Sequence, residues 1–316
     1  MRKIISGFIA VLFFSAVQAR EAPVLAAKGI ESYRKGRYVQ ARHFFAQAMQ
    51  QAVLQAREDW ITKAALNLID MELDAYHFRE AGELLEKIPG ISDPELQTAV
   101  LWKKAQYYFY TGRIDSASDV INQTVSRCKD QYSFCNSVRI DAYRIQIESE
   151  LLKSGELENL KTQVKGFKDK LPKDEKGSIE GLEALIAMKK GDYTGAARLW
   201  QNAADYHRAV GQIPKMAKCL NYLALSQLIN GRERSARETN SRSVDVYKST
   251  GLTLPGLRAY ALNLFIITDS KELDKIKKNL ELISESQPDF NLKAVLQDYK
   301  KFANLSLPPS LSYLLP

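Results

Sequence analysis

What this 316-residue chain has little of narrows it first. Three Cys and three His are too few for an array of zinc fingers. No HExxH, GxSxG, CxxC or phosphate-cradling glycine loop occurs, so the common spacings of hydrolase, thiol-redox and nucleotide sites are missing. The Glu and Asp residues are spread along helix faces instead of being paired as an acid and a base. No catalytic residue, metal site or cofactor is assigned, and the chain reads as a non-enzyme. With 45% apolar residues and a mean hydropathy of −0.29, it reads as a soluble globular protein, neither membrane-embedded nor disordered.

The apolar run at residues 4–17 follows Arg2 and Lys3 and is shorter than the ~20 residues that span a bilayer. With Val17-Gln18-Ala19 after it, residues 1–19 read as a cleaved signal peptide with no Cys for lipidation, and the mature chain is expected in a periplasm or secreted. The formal net charge of +8 is uneven: residues 20–150 carry −1 and residues 151–316 carry +7. Export argues against nucleic acid. It leaves an anionic envelope polymer, a membrane surface or an acidic protein as partners for the basic half.

A repeat runs through the chain. Gly36-Arg37-Tyr38-Val39-Gln40-Ala41 recurs as Gly112 to Ala117, Gly191 to Ala196 and Gly231 to Ala236. Weaker copies are Tyr76 to Ala81 and Gly155 to Leu160. Twelve residues before each closing position stand mostly small residues (Gly29, Ile69, Ala105, Glu148, Ala184, Ala224). Eight before stand large ones (Tyr33, Leu73, Phe109, Leu152, Met188, Leu228). Four after come Phe45, Leu85, Ile121, Val164, Trp200 and Asn240. Small and large residues four apart mark one helix face on each side of a tight turn, so each unit reads as helix, turn, helix. The glycine suits the turn because it ends a helix with positive φ at no steric cost.

These positions make the chain resemble the tetratricopeptide repeat family, best at residues 29–48 and 184–203. The closing positions Ala41, Ala81, Ala117, Leu160, Ala196 and Ala236 are spaced more widely than the family's usual ~34 residues. The resemblance implies an all-α fold, a right-handed α-solenoid of stacked antiparallel helix pairs. Residues 20–250 would form about six pairs, 251–304 a further pair (255–268 and 270–285) and a capping helix, and 305–316 a Pro- and Leu-rich tail. That tail either packs back on the last repeat, is disordered or serves as a docking segment.

Cys128 and Cys135 bracket a short polar and aromatic stretch. In an oxidising compartment they should form a disulfide worth about 2.5 kcal/mol. Cys219 reads as a buried small hydrophobe. His43, His77 and His207 read as surface residues.

In the resembled family the first helices of successive pairs line a concave groove. Here that face would present Tyr33, Arg34, Asp70, Asp74, Trp102, Gln106, Tyr110, Ser149, Lys153, Lys189, Lys218 and Asn221 to a protein or peptide. Trp102 and Tyr110 are expected to be exposed anchors. Lys218 with Asn221 does not reproduce the family's clamp for C-terminal carboxylates. Lys161, Lys165 and Lys168, with Arg232, Arg234, Arg237 and Arg242, are candidate contacts for an anionic partner or else a solvated face. Oligomeric state is not legible.

Overall fold

The computed structural model describes residues 21–128, 134–148, 154–168, 171, 173–287 and 289–303. The segment read as a signal peptide, the tail, Ser149, Leu152 and Lys153 lie outside them. The described residues are helical and contain no strand. In chain order the helices are α1 Glu21–Arg34, α2 Tyr38–Leu54, α3 Glu58–Asp74, α4 Phe78–Glu86, α5 Pro94–Tyr110 and α6 Ile114–Arg127. Next come α7 Cys135–Glu148, α8 Ser154–Lys168, α9 Lys173–Lys189, α10 Tyr193–Ala209, α11 Ile213–Ile229 and α12 Glu233–Thr250. The last are α13 Thr253–Ala261, α14 Asn263–Ile266, α15 Ser270–Ser286 and α16 Leu292–Ala303. Neighbours in sequence pack on each other, the arrangement of an all-α solenoid built from helix pairs.

One turn type makes the pairs. After α1, Gly36 takes φ 71°; the Arg37 N–H donates to the Ser32 carbonyl (2.9 Å) and the Gly36 N–H to Tyr33 (2.9 Å). Two carbonyls that a helix end would leave orphaned are thereby satisfied, and the next helix starts at Tyr38. The same pair of bonds recurs at Gly112, Gly191 and Gly231, as the repeat predicts. It also recurs between pairs, at Gly211 and Gly251, and at Ala56 with φ 49°, three turns that the repeat did not mark. Tyr76 supplies the left-handed residue (φ 62°) before α4.

Gly155 departs from expectation. It lies within the first turn of α8, which starts at Ser154, and so is not a turn glycine. The first helix of the seventh pair also differs: it begins at Thr253, breaks at Leu262 and ends at Ile266. Pro94 sits at the first position of α5, where Asp93 caps by accepting from Glu95 N–H at 2.8 Å.

The chain divides into two compact units. One comprises the residues up to Leu73 with His77–Val138; the other comprises Asp74–Tyr76 with the residues from Arg139 on. In the first unit the closing residues Ala41, Ala81 and Ala117 are fully buried, with Phe45 and Ile121 beside them. A Cβ on Gly29 would come within 2.6 Å of the Phe45 ring, so the small position exists to let α1 approach α2. Cys128 and Cys135 stand at disulfide distance, with their Cα atoms 5.6 Å apart.

In the second unit Leu160, Ala196 and Ala236 are buried in one continuous core that also takes in Val164, Ala184, Trp200 and Ala224. Cys219 is buried as read, and burial pushes its thiol up to about 12. On α16, Val295, Leu296 and Tyr299 are buried and Lys300 is exposed.

Two substitutions test this account by urea unfolding of the whole chain. Gly29→Ala should cost about 1 kcal/mol or more, overpacking against Phe45 outweighing the roughly 1 kcal/mol gained in helix propensity. Ala56→Gly should instead raise stability by up to about 1 kcal/mol, by relieving a left-handed alanine. Equal effects of the same sign would contradict the geometry.

Candidate functional site

The residues expected on the groove fall in both units, and each unit holds a distinct polar cluster. In the first, Lys103 on α5 is the centre. Its ammonium is almost wholly buried; it reaches Asp70 Oδ1 on α3 at 2.6 Å, donates to Gln106 Oε1 at 3.2 Å and lies 3.6 Å from the centre of the Trp102 ring. The sequence reading named all three partners, Asp70, Trp102 and Gln106, but not the lysine that joins them.

Trp102 and Tyr110 are less exposed than expected. Both are half-buried: Trp102 stacks on Phe134 (5.8 Å, 8°) and Tyr110 on Phe78 (6.0 Å, 15°). Tyr110 ends a run of four aromatics that point all round the helix, Trp102 lies about one and a half turns before that run, and each of the two has one ring stacked on it. Tyr33 packs edge-on against Tyr38 at 5.0 Å, while Arg34 is exposed. Farther along α5, Tyr107 and Tyr108 lie under the Arg113 guanidinium, at 4.8 and 4.2 Å.

A buried acid sits nearby. Glu72, 2% exposed, accepts from Arg42 Nε at 2.5 Å and lies 2.9 Å from His77 Nδ1. Burial alone would raise its carboxyl, but the bonds from His77 and Arg42 hold it below the usual range. The Glu72 bond in turn raises His77. His77 is therefore tied to Glu72, ionically when its ring is protonated, whereas His43 is exposed as read.

In the second unit Asp74 is half-buried and Lys189 is exposed. Asn221 is not a groove ligand: it is buried on α11 within a polar chain. Its Nδ2 donates to Asn240 Oδ1 (3.1 Å), and its Oδ1 faces the Tyr299 hydroxyl (2.9 Å). Asn240 donates onward to the Ala259 carbonyl and to Asn263 Oδ1, both at 2.9 Å. Lys218, one turn before Tyr222 on α11, is half-buried. Burial lowers its ammonium, and so does the charge of Arg144 on α7.

His207 is also not a surface residue. It is 3% exposed, its Nδ1 lies 2.6 Å from Gln212 Oε1, and its ring fills the place a Cβ on Gly177 would take. Burial first, and then Lys215, lower it to about 4.

The basic candidates are mostly surface groups. Lys161, Lys165, Arg232 and Arg242 are exposed; Arg234 pairs with Glu238 and Arg237 with Glu272. Lys168 is on α8, but its side chain lies outside the described residues. Among the described residues no group of three His, Cys, Asp or Glu could hold a metal ion. Among them also, no helix is long and apolar enough to cross a membrane.

No family model and no curated protein matches this chain. Among solved structures it is similar to a Signal Transduction ATPase with Numerous Domains (STAND) protein with a tetratricopeptide repeat sensor from Pyrococcus horikoshii. The TM-score is 0.51 at 15% identity, over 91% of this chain and 45% of that one. The fold is thus tetratricopeptide-repeat-like, and the chain spans less than half the length of that neighbour.

Buried His207 and partly exposed His77 predict opposite pH responses, readable as amide-exchange protection followed separately in each unit. His207 is depressed in the folded state, so the second unit keeps its full stability above pH 6.5 and loses it as pH falls towards about 4, by about 3 kcal/mol in all. His207→Gln should flatten that loss. In the first unit, His77 stabilises below 6.5 and its contribution fades as pH rises through its raised value. The Glu72 contribution is present above 4.5 and is lost as pH falls through its lowered value. The first unit should therefore be most protected between pH 4.5 and 6.5, and His77→Gln should abolish the alkaline loss.

Proposed function

We propose that the chain is a non-enzymatic, exported helical-repeat scaffold that captures another protein or peptide during cell-envelope assembly. The observation that carries the binding part is the α5 cluster: half-buried Trp102 and Tyr110, Gln106 and the buried Lys103 on the first helix of a pair. Rigid aromatic rings beside a desolvated cation are what protein interfaces use as anchors. The fold supports the same reading, since the similar protein's repeat segment is described as a sensor. Export rests on the N-terminal apolar run, and the Cys128–Cys135 pair suits an oxidising compartment.

The alternative reading, a module for an anionic envelope polymer or membrane surface, draws on the exposed Lys161, Lys165, Arg232 and Arg242. Salt separates the two. In capture from an envelope extract, Trp102→Leu and Tyr110→Leu should each weaken retention of a partner roughly fivefold or more, with modest dependence on ionic strength. Retention lost steeply with salt but indifferent to both replacements would favour the polymer reading. Indifference to both would remove both.

A further inference from the structure

The second unit holds a groove into which three helices each turn one face. Val244 and Tyr247 come from α12, Leu257 and Tyr260 from α13, and Leu282 and Ile283 from α15. Its volume is about 590 Å³, that of an ordinary ligand cleft, and among the described residues that line it Lys248 is the one that carries a charge.

The register of α13 builds one wall. Thr253, Gly256, Leu257 and Tyr260 lie at the spacing of a single helix face. A Cβ on Gly256 would come within 3.1 Å of the Tyr247 Cβ, so the glycine lets α13 settle against α12 while Leu257 and Tyr260 form the side of the groove. On α15, Leu282 is 64% exposed and stands outside the face of Leu273, Ile276 and Leu280 that joins the core. Apolar groups gathered along one groove mark a surface to be covered, unlike single exposed side chains.

A segment to cover it follows directly in the chain. Residues 304–316 lie outside the described residues. They carry no charged side chain, in a chain where 26% of residues are charged, and they set Leu305, Leu307, Leu311 and Tyr313 around Pro308-Pro309. Consecutive prolines favour an extended polyproline II backbone, which has no internal hydrogen bonds and docks in grooves walled by aromatic rings. The groove offers the half-buried Tyr260 ring beside Tyr247, with exposed donors on Lys248, Thr253 and Asn279. Reach is sufficient. The Tyr299 hydroxyl of α16 lies 3.0 Å from the Arg258 carbonyl oxygen of α13, and α16 ends at Ala303, about one turn farther on. The segment therefore sets out beside α13, whose width of about 10 Å is small against the ~40 Å that residues 304–316 can span when extended.

We infer that the groove between α12, α13 and α15 seats the chain's own Pro- and Leu-rich tail, laid across it as an extended strap. An uncharged segment matches a nearly uncharged lining, and the tether supplies it at an effective concentration on the order of millimolar. This contact is separate from the partner-binding reading above and does not rest on it.

The test titrates a fluorescein-labelled peptide of residues 304–316 into full-length chains, read by anisotropy. In a tail variant carrying Leu311→Ser, Tyr313→Ser and Leu314→Ser the groove should be free, and the peptide should bind. The wild-type chain should bind it at least tenfold more weakly, because its own tail competes. Adding Leu282→Asp to the tail variant should likewise weaken binding roughly tenfold or more; the residue is exposed, and circular dichroism checks that the fold is kept. Failure of the peptide to bind the tail variant, equal binding by the wild-type chain, or indifference to Leu282→Asp would overturn the proposal. So would a wild-type dimer in sedimentation that the tail variant loses, since the tail would then occupy the groove of a second copy.

Discussion

The structure depends on a helix being able to stop and reverse within three residues. One left-handed residue lets two successive N–H groups bond back into the last turn, so the reversal satisfies its own backbone instead of leaving it to water. Everything else follows from that compactness. The partner helix starts at once, small residues such as Gly29 and Ala41 meet large ones such as Phe45, and each pair offers a face for the next to cover. Where glycine is absent, both bonds form at Ala56 and the His77 N–H still bonds back to the Glu72 carbonyl after Tyr76, each with a side chain in the left-handed region. Packing there offsets a local cost of about 1–2 kcal/mol per residue.

Polar groups inside the two units serve different ends. In the first, Glu72 ties α2 to the turn before α4 through Arg42 and His77, a charged link whose strength depends on proton concentration. In the second, asparagines do the tying without charge: Asn240 reaches the α11 side chain of Asn221, the Ala259 carbonyl on α13 and the α14 side chain of Asn263. A half-satisfied version of such a network would be worse than an apolar core, so these residues specify which helices neighbour which.

Much of the fold was legible because its rule is local. Closing alanines, turn glycines and large residues at fixed spacing record contacts between adjacent helices, and the structure buries Ala41, Ala81, Ala117, Leu160, Ala196 and Ala236 together with Phe45, Ile121, Val164, Trp200 and Asn240. What escaped was non-local. Gly155 has the right residue in the right sequence frame, yet α8 begins before it. His207 looked like a surface residue because the glycine that makes room for it is thirty positions away, at Gly177. Asn221 looked like a ligand because nothing in its own helix shows that Asn240 and Tyr299 take up its hydrogen bonds. The α5 cluster was found by its partners and not by its centre, since a lysine beside a tryptophan normally reads as solvated.

The bond between Tyr299 and Asn221 spans seventy-eight positions in a fold otherwise made of near neighbours. During synthesis the chain emerges from its N-terminus, so α11 and α12 are complete long before the residue that finishes their polar interior exists. Until α16 arrives, the Asn221 carbonyl oxygen has to be served by water. The second unit therefore acquires its final solidity only once synthesis has passed Tyr299, and a chain cut short before that residue would keep its helices while lacking the contact that closes them.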